Sequence, residues 1–290
     1  MKGVTERSPD FARAARSLDG LSVGDAFGDR VTWWLEGRPV RLPPGPWAWT
    51  DDTHMALSIM EVLELYGRIE QDALASAFAR RFSDEPHRGY AAGAAWLLTQ
   101  IRDGVPWRAA ATALFDGGSY GNGAAMRAAP IGACFWRDPA YAAEQARQSA
   151  VVTHAHVEGQ AGAMAVAAAA ALAADPALPA GSDFLRAVLP FVPESVTRDR
   201  IAQSLDLPGD RLHDAVELLG SGQNVTAQDT VPFCLWSAAY HLHDFEDAMW
   251  WTVRGGGDSD TTCAIVGGIV ALSAGAVPVE WIGRRERLPR

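Results

Sequence analysis

At 290 residues, with 48% apolar and 21% charged residues, the chain is long enough for one large domain or two small ones. That composition buries a real core and excludes disorder over most of the length. The net charge of −10, with no stretch rich in Lys and Arg, argues against a partner with a phosphate backbone, duplex nucleic acid above all.

In chain order, helical spacing or helix-forming composition predicts helices over Phe11–Phe27, Asp52–Tyr66, Gln71–Arg81, Tyr90–Ile101, Ala124–Trp136, Tyr141–Val151 and Glu158–Ala174. The pattern continues through Phe184–Leu189, Asp210–Leu219, Pro232–Leu242, Phe245–Val253 and Thr262–Ala274. Period-2 alternation of β-branched residues, the signature of strands, is nearly absent. Gly and Pro punctuate the connections, which are short except for 29–49, and none has the composition of a flexible linker. One compact all-α domain spanning residues 1–290 is expected. The alanine-rich run Ala161–Ala174 is too short for a membrane span of ~20 residues and reads as a buried core helix.

Cys134, Cys234 and Cys263 lie far apart, odd in number and in no metal-ligand spacing, which suits buried thiols in a reducing compartment. The start, Met1 to Asp10, is polar and lacks the apolar segment of a signal peptide. A cytoplasmic protein without a membrane segment is the expectation, with a monomer as the default. Trp33, Trp34, Trp47 and Trp49 cluster before the most acidic motif. They fit core aromatics or the wall of a pocket for a planar ring, and sequence does not choose between the two.

Four motifs carry chemistry. The first is Thr50-Asp51-Asp52-Thr53 at a predicted helix start. Capping explains one oxygen there, but two adjacent carboxylates plus a hydroxyl also form a hard-oxygen cluster suited to Mg²⁺, Mn²⁺ or Ca²⁺. The second is Gly255-Gly256-Gly257-Asp258-Ser259-Asp260-Thr261-Thr262, again entering a helix, where capping is again the plainer alternative. Taken together the two say more, because they lie most of the chain apart and meet only if folding brings them together. Four carboxylates carry the charge that two divalent cations neutralise, whereas without cations some of the acids would have to stay protonated. The first motif, in full Trp49 to Leu57, goes on to His54, but the candidate ligands of both motifs are all oxygens, with no His or Cys among them, which disfavours zinc. A binuclear oxygen-ligand site is therefore expected, and two such ions can lower the pKa of a bound hydroxyl or water, which is hydrolase chemistry.

The third motif, Gly117-Gly118-Ser119-Tyr120-Gly121-Asn122-Gly123 followed by Ala124-Ala125-Met126-Arg127, is a glycine-rich loop running into a predicted helix. Free backbone N–H groups there would cradle a phosphate, although turns need glycine in any case. It is neither a Walker A loop nor a dinucleotide fingerprint. The fourth is Thr153-His154-Ala155-His156, between two predicted helices, which fits either a ligand-binding or a structural histidine.

In this order, and with Gly20-Leu21-Ser22-Val23-Gly24-Asp25-Ala26-Phe27-Gly28 ahead of them, the motifs resemble the ADP-ribosylglycohydrolase family over most of the chain. The nitrogenase-reductase-activating glycohydrolase and the ADP-ribosyl-acceptor hydrolases belong to that family. The glycine loop is especially similar to acceptor hydrolases acting on serine-linked ADP-ribose. The resemblance implies an orthogonal multi-helix bundle with two divalent cations, Mg²⁺ first and Mn²⁺ second, in a cleft. It implies Thr50, Asp51, Asp52, Asp258, Asp260 and Thr261 as metal ligands. Gly118, Ser119, Tyr120, Gly121, Asn122 and His154 would bind substrate. The activity implied is cleavage of the glycosidic bond at ribose C1″ of an ADP-ribosylated protein or small adduct.

One position departs from the pattern. Many members carry a glutamate four residues past the last glycine of the Gly-Asp-Ala segment, where this chain has Thr32. Glu36 is the expected substitute, with Asp29 as fallback, and Asp52 is the other candidate for proton transfer. The missing glutamate keeps open an ADP-ribose-binding module without turnover. A binuclear phosphohydrolase acting on another metabolite is the third reading.

Overall fold

The computed structural model describes residues 7–34, 41–115, 117–175, 177 and 179–289, with the side chains of 32–34 left out. Glu36 therefore lies outside the described residues. Within them the chain is all α-helical: the backbone forms α-helices, three short 3₁₀ turns and two isolated bridges, with no strand.

The helices are α1 (Phe11–Trp34), α2 (Asp51–Tyr66), α3 (Gln71–Asp84), α4 (Ala92–Arg102) and α5 (Trp107–Ala113). Then come α6 (Ala129–Cys134), α7 (Pro139–Val151), α8 (Val157–Ala173), α9 (Ser182–Val188) and α10 (Val196–Gln203). The last five are α11 (Leu212–Leu219), α12 (Ala227–Tyr240), α13 (Phe245–Val253), α14 (Ser259–Val270) and α15 (Val279–Arg284). None is long and apolar enough to cross a membrane. The alanine-rich segment becomes α8, buried along nearly its whole length, and all three cysteines are free and buried.

The most extensive helix packing is α1 against α14. Gly20, Gly24 and Gly28 recur every four residues on one face of α1, where a Cβ would press on the backbone of Gly267, Cys263 and Ser259 respectively. The partner positions also step by four but in the reverse direction, so the two helices run antiparallel with their backbones in contact. Ser17 extends the seam by donating to the Gly268 carbonyl at 2.8 Å. This stripe also explains why α1 continues beyond the expected Phe27: Gly28 is a packing residue inside the helix, not a stop.

Other differences have identifiable physical causes. The helix expected over Ala124–Trp136 is broken into a 3₁₀ turn at Asn122–Ala124 and α6, which begins with Pro130 in its first turn. Proline has no N–H to continue a helix from Met126, so the helix restarts there. Sequence periodicity did not indicate α10. Its first N–H groups are taken by the Glu158 carboxylate of α8, at 2.7 Å from Val196 and 2.9 Å from Thr197. Helix α12 starts earlier than expected and carries Pro232 inside it. The Gln228 carbonyl that this proline leaves without its helical donor accepts instead from Arg200 at 2.8 Å.

The segment before α2 is fastened by the chain's end. Trp47 N–H donates to the Arg284 carbonyl at 2.7 Å, and Glu286 N–H donates to the Trp47 carbonyl at 2.8 Å. Arg88 lies over the Trp49 ring, donates to the Trp49 carbonyl at 3.2 Å and pairs with Glu286 at 2.8 Å. Trp47 and Trp49 are buried in the core, so the start of α2 is anchored from both sides.

Candidate active site

The α1–α14 contact decides where the acids go. Asp25 follows Gly24 on α1 and faces the first turn of α14, which carries Asp260. Its fully buried carboxylate accepts from the Thr50 N–H at 3.0 and 3.1 Å and from the Thr50 hydroxyl at 2.8 Å. It also accepts from the Thr53 N–H at 3.1 Å and the Thr53 hydroxyl at 2.5 Å. One buried carboxylate on α1 thus clamps the N-terminus of α2, and with it Asp51 and Asp52, against the start of α14. Sequence reasoning gave Asp25 no role. The available signal was an acid beside each glycine of the four-residue repeat, Asp19, Asp25 and Asp29, of which sequence does not single out Asp25.

Asp25, Asp51, Asp52 and Asp258 all hold protons far more tightly than ordinary carboxyls. Burial raises Asp25 to about 7, with the charge of Asp260 adding to it. Asp51 rises to about 8 through burial, then through repulsion from Asp25, Asp260 and Asp258. Asp258 rises to about 7 through burial and Asp260. Asp52 is pushed well up by burial and by the same three acids together with Asp51. Asp29, one turn beyond Asp25, is also raised by burial and by Asp260. Among the described residues, no Lys or Arg forms an ion pair with Asp25, Asp51, Asp52, Asp258 or Asp260.

Hydrogen bonding agrees with this. The single Thr50 hydroxyl proton faces Asp25 Oδ1 at 2.8 Å and Asp52 Oδ2 at 3.0 Å. It cannot serve both, so with no cation bound one of the two contacts needs a proton on Asp25 or Asp52. Asp52 Oδ1 is buried with no partner. Among the described residues no three His, Cys, Asp or Glu side chains stand in a ready-made ligand cage. The acids are near neighbours whose oxygens are partly engaged by Thr50, Thr53 and Asn122 instead.

A cleft of about 450 Å³ opens in front of these acids, within the range of about 300–1,000 Å³ common for small-molecule sites. Asp51, Asp258, Asp260 and Thr261 line it, whereas Thr50 and Asp52 do not. Capping accounts for Thr50, which accepts from Asp52 N–H at 3.4 Å. It does not account for Asp258, which occupies the N-cap position of α14 without capping it and instead accepts from Asn122 Nδ2 at 2.7 Å.

Of the expected loop residues, Ser119, Tyr120, Gly121 and Asn122 line the cleft, as does His154. Gly118 does not line it. Its φ of +101° and a would-be Cβ 2.5 Å from Ala155 Cβ make it a packing glycine. The loop offers fewer free donors than its glycine content suggests. Gly121 N–H is held by the Ser119 hydroxyl at 3.1 Å, and Asn122 N–H by the Val225 carbonyl at 3.1 Å. Asn122 gives its side-chain amide to Asp258 and to Thr230 at 3.1 Å, so it ties the glycine loop to the acid cluster. No described tryptophan lines the cleft; its aromatic residues are Phe115 and Tyr120, which sequence reasoning did not single out as a pair.

An all-α fold that joins two acidic helix starts to a glycine loop across one cleft defines a class, and comparison with known proteins gives it a name. Residues 6–289 match the family described as ADP-ribosylglycohydrolase, and the chain belongs to that family. The protein is similar to the ADP-ribosylhydrolase ARH3 of Xenopus tropicalis, at 30% identity over 80% of this chain and 76% of the relative. It is likewise similar to the ADP-ribosylarginine hydrolase Tri1 of Pseudomonas putida, at 28% identity over 93% of this chain and 73% of the relative. A solved structure titled ADP-ribosylglycohydrolase-related protein complex superposes with a TM-score of 0.66 and 26% identity, covering 94% of this chain and 93% of that one.

Proposed function

We propose that the protein is a metal-dependent hydrolase that removes ADP-ribose from a modified protein or small adduct by cleaving the glycosidic bond at ribose C1″. The observation that carries this reading is the meeting of Asp51, Asp52, Asp258 and Asp260 beside a cleft shared with the glycine loop. Membership of the ADP-ribosylglycohydrolase family and relatives named for removing ADP-ribose support the substrate class.

The donor set fits two divalent cations, Mg²⁺ in the first place and Mn²⁺ in the second. All the donors are hard oxygens, and among the described residues no Lys or Arg pairs with them and Asp52 Oδ1 is buried without a hydrogen-bond partner. Thr50, Asp51, Asp52, Asp258, Asp260 and Thr261 would hold the ions. Bound there, the ions would supply the positive charge that lets these carboxyls ionise and would make a coordinated hydroxyl or water more acidic.

The chain's own residues do the rest. Asp25 fixes the position of the Thr50–Thr53 turn, and Asn122 fixes Asp258. Ser119, Tyr120, Gly121 and His154 would hold the diphosphate side of the substrate, leaving the ribose towards the acids. Asp51 is the acid that faces the cleft from α2 and can exchange a proton with a group bound there. Asp52 is buried beside it, does not line the cleft, and would serve as a ligand that ionises with the ions bound, or as the base if no other acid reaches the site. Glu36 remains the other candidate for proton transfer.

The test is incubation with ADP-ribosyl-arginine, ADP-ribosyl-serine peptides and O-acetyl-ADP-ribose, each with Mg²⁺ or with EDTA. Release of ADP-ribose that stops in EDTA supports the proposal. Tight ADP-ribose binding with no product on any substrate would reduce the protein to a binding module. Release of phosphate in place of ADP-ribose would make it a phosphohydrolase.

A further inference from the structure

Arg127 is a cation in the wall of the cleft that the chemistry above does not use. It is fully buried, and among the described residues it has no carboxylate partner. Its guanidinium is spread over neutral acceptors. Nη1 donates to the Gly123 carbonyl at 3.1 Å and lies 3.6 Å from Met55 Sδ. Nη2 donates to the Ser149 carbonyl at 3.1 Å and to the Thr153 hydroxyl at 2.8 Å. Phe78 lies beneath it, with the ring centroid at 4.5 Å, and Nε has no partner. Burial lowers its pKa only to about 9, so it stays charged near neutrality.

The Thr153 hydroxyl also lies 2.7 Å from His154 Nδ1. This hydroxyl is buried and carries one proton. If Nδ1 were protonated, Thr153 would receive two donors and its own proton would have no acceptor among the described residues. If Nδ1 is bare, both contacts of the Thr153 hydroxyl are met: Arg127 donates to Thr153, and Thr153 donates to His154. The imidazole proton then sits on Nε2. Burial, and then the charge of Arg127, lower the His154 pKa to about 3, which keeps the ring neutral. Nε2 faces the glycine loop, since a Cβ built on Gly121 would stand 3.4 Å from it and one on Gly123 3.3 Å. Gly121, Gly123 and His154 all line the cleft, and among the described residues nothing else bonds to Nε2.

We propose that Arg127, acting through Thr153, is a positioning residue that locks His154 in the neutral Nε2–H tautomer and so gives the cleft a permanent donor for an anionic oxygen. Identifying that oxygen as a phosphoryl oxygen rests on the ADP-ribose reading above; the tautomer does not. A positive wall of this kind complements the acid cluster, because a ligand that is anionic at one end and carries hydroxyls at the other would satisfy both.

The test is long-range ¹H–¹⁵N correlation on the full ¹⁵N-labelled chain, with His154 assigned by its loss in His154→Gln. The expected spectrum has a bare Nδ1 and a protonated Nε2, unchanged from about pH 5 to about pH 9. Thr153→Val should release the tautomer, and Thr153→Ser should restore it. Arg127→Lys, which keeps a donor for Thr153, should retain the tautomer, while Arg127→Met, which has none, should lose it. A protonated Nδ1 in the wild type, which needs no variant to fold, overturns the proposal, as does an unchanged His154 signal in Thr153→Val. On adding ADP-ribose, the Nε2 signal should move, and Thr153→Val should bind roughly tenfold more weakly than Thr153→Ser. Binding of ADP-ribose without any change at Nε2 would refute the donor role and leave the substrate class intact. The expected tautomer in a protein that does not bind ADP-ribose would support the lock and refute the substrate class.

Discussion

Replacing Gly24 by alanine sets two effects of opposite sign against each other. In an ordinary helix interior the change stabilises by about 1 kcal/mol, because alanine loses less backbone freedom on folding. Here the new Cβ would stand 2.6 Å from the Cys263 carbonyl carbon and closer still to its oxygen. Ordinary contact begins at 3.4 Å, so α1 and α14 would have to part by more than 0.8 Å at that point. The obstacle is backbone, which cannot rotate away as a side chain would. Overpacking of this kind costs about 1–3 kcal/mol, and immovable backbone puts it at the upper end. Subtracting the propensity gain leaves a net loss of about 2 kcal/mol, or about 3 °C in Tm for a domain of this size. Gly283 in α15 is the control, since a Cβ there meets nothing within 4 Å, and Gly283→Ala should hold or raise Tm. Because Asp25 sits beside Gly24, the same variant should also weaken Mn²⁺ binding measured by calorimetry. Thermal unfolding of both variants decides the matter. A Gly24→Ala protein as stable as the wild type would show that the helix contact is looser than described and would remove the basis for the acid cluster.

Asp51→Asn or Asp260→Asn should abolish Mn²⁺ affinity and hydrolysis with helical circular dichroism intact. Tm of the EDTA-treated Asp51→Asn protein should rise, since one crowded acid is gone; wild-type rates from either variant would contradict the site. In EDTA, stability should fall as pH rises from about 4 to about 8 and level off above. The folded carboxyls of Asp25, Asp258 and Asp51 titrate at about 7, 7 and 8 against 3.8 when ordinary, so the folded state binds more protons across that window. Urea unfolding at the two ends checks the sign, and a rise with pH would be fatal to it. Glu158→Ala should cost about 2 kcal/mol by leaving Val196 and Thr197 N–H without an acceptor, seen as a lower urea midpoint with hydrolysis retained.

Local patterns made most of this molecule readable. Apolar periodicity located α2, α7, α8 and α13 within a residue or two of where they lie. The two acidic helix starts were legible as a site only because capping needs fewer carboxylates than they carry. What escaped depends on contacts between distant segments. Helix α10 has a local cap in Ser195, but its first two N–H groups are met by Glu158 of α8, and no window around Val196 contains that carboxylate. Asp25 reads as one acid in an apolar helix until α14 lies against it. Arg127 reads as the end of a glycine motif until its burial beside Thr153 is known. The loop's glycines suggested an anion cradle, but Ser119 and Val225 already occupy two of its N–H groups.

The same geometry explains how a folded protein tolerates so many buried acids. Helices α2 and α14 both point their N-termini at the cluster, and each dipole favours a nearby negative charge by about 0.3–1 kcal/mol, up to ~2 kcal/mol when partly buried. Two carboxylates about 6 Å apart repel by roughly 3 kcal/mol at an effective dielectric constant near 20, and each acid here faces several neighbours. The dipoles therefore cannot neutralise the cluster, as the raised pKa values of Asp25, Asp51, Asp52 and Asp258 record. The acids cannot swing clear either. Asp25 is pinned by Thr50 and Thr53, Asp258 by Asn122, and the backbone contact at Gly24 keeps α1 from drawing back. The cluster must then take up positive charge, as protons or as cations, in every state in which it is folded. A site that binds cations strongly enough to displace those protons would link its occupancy to the stability of the whole α1–α14 core.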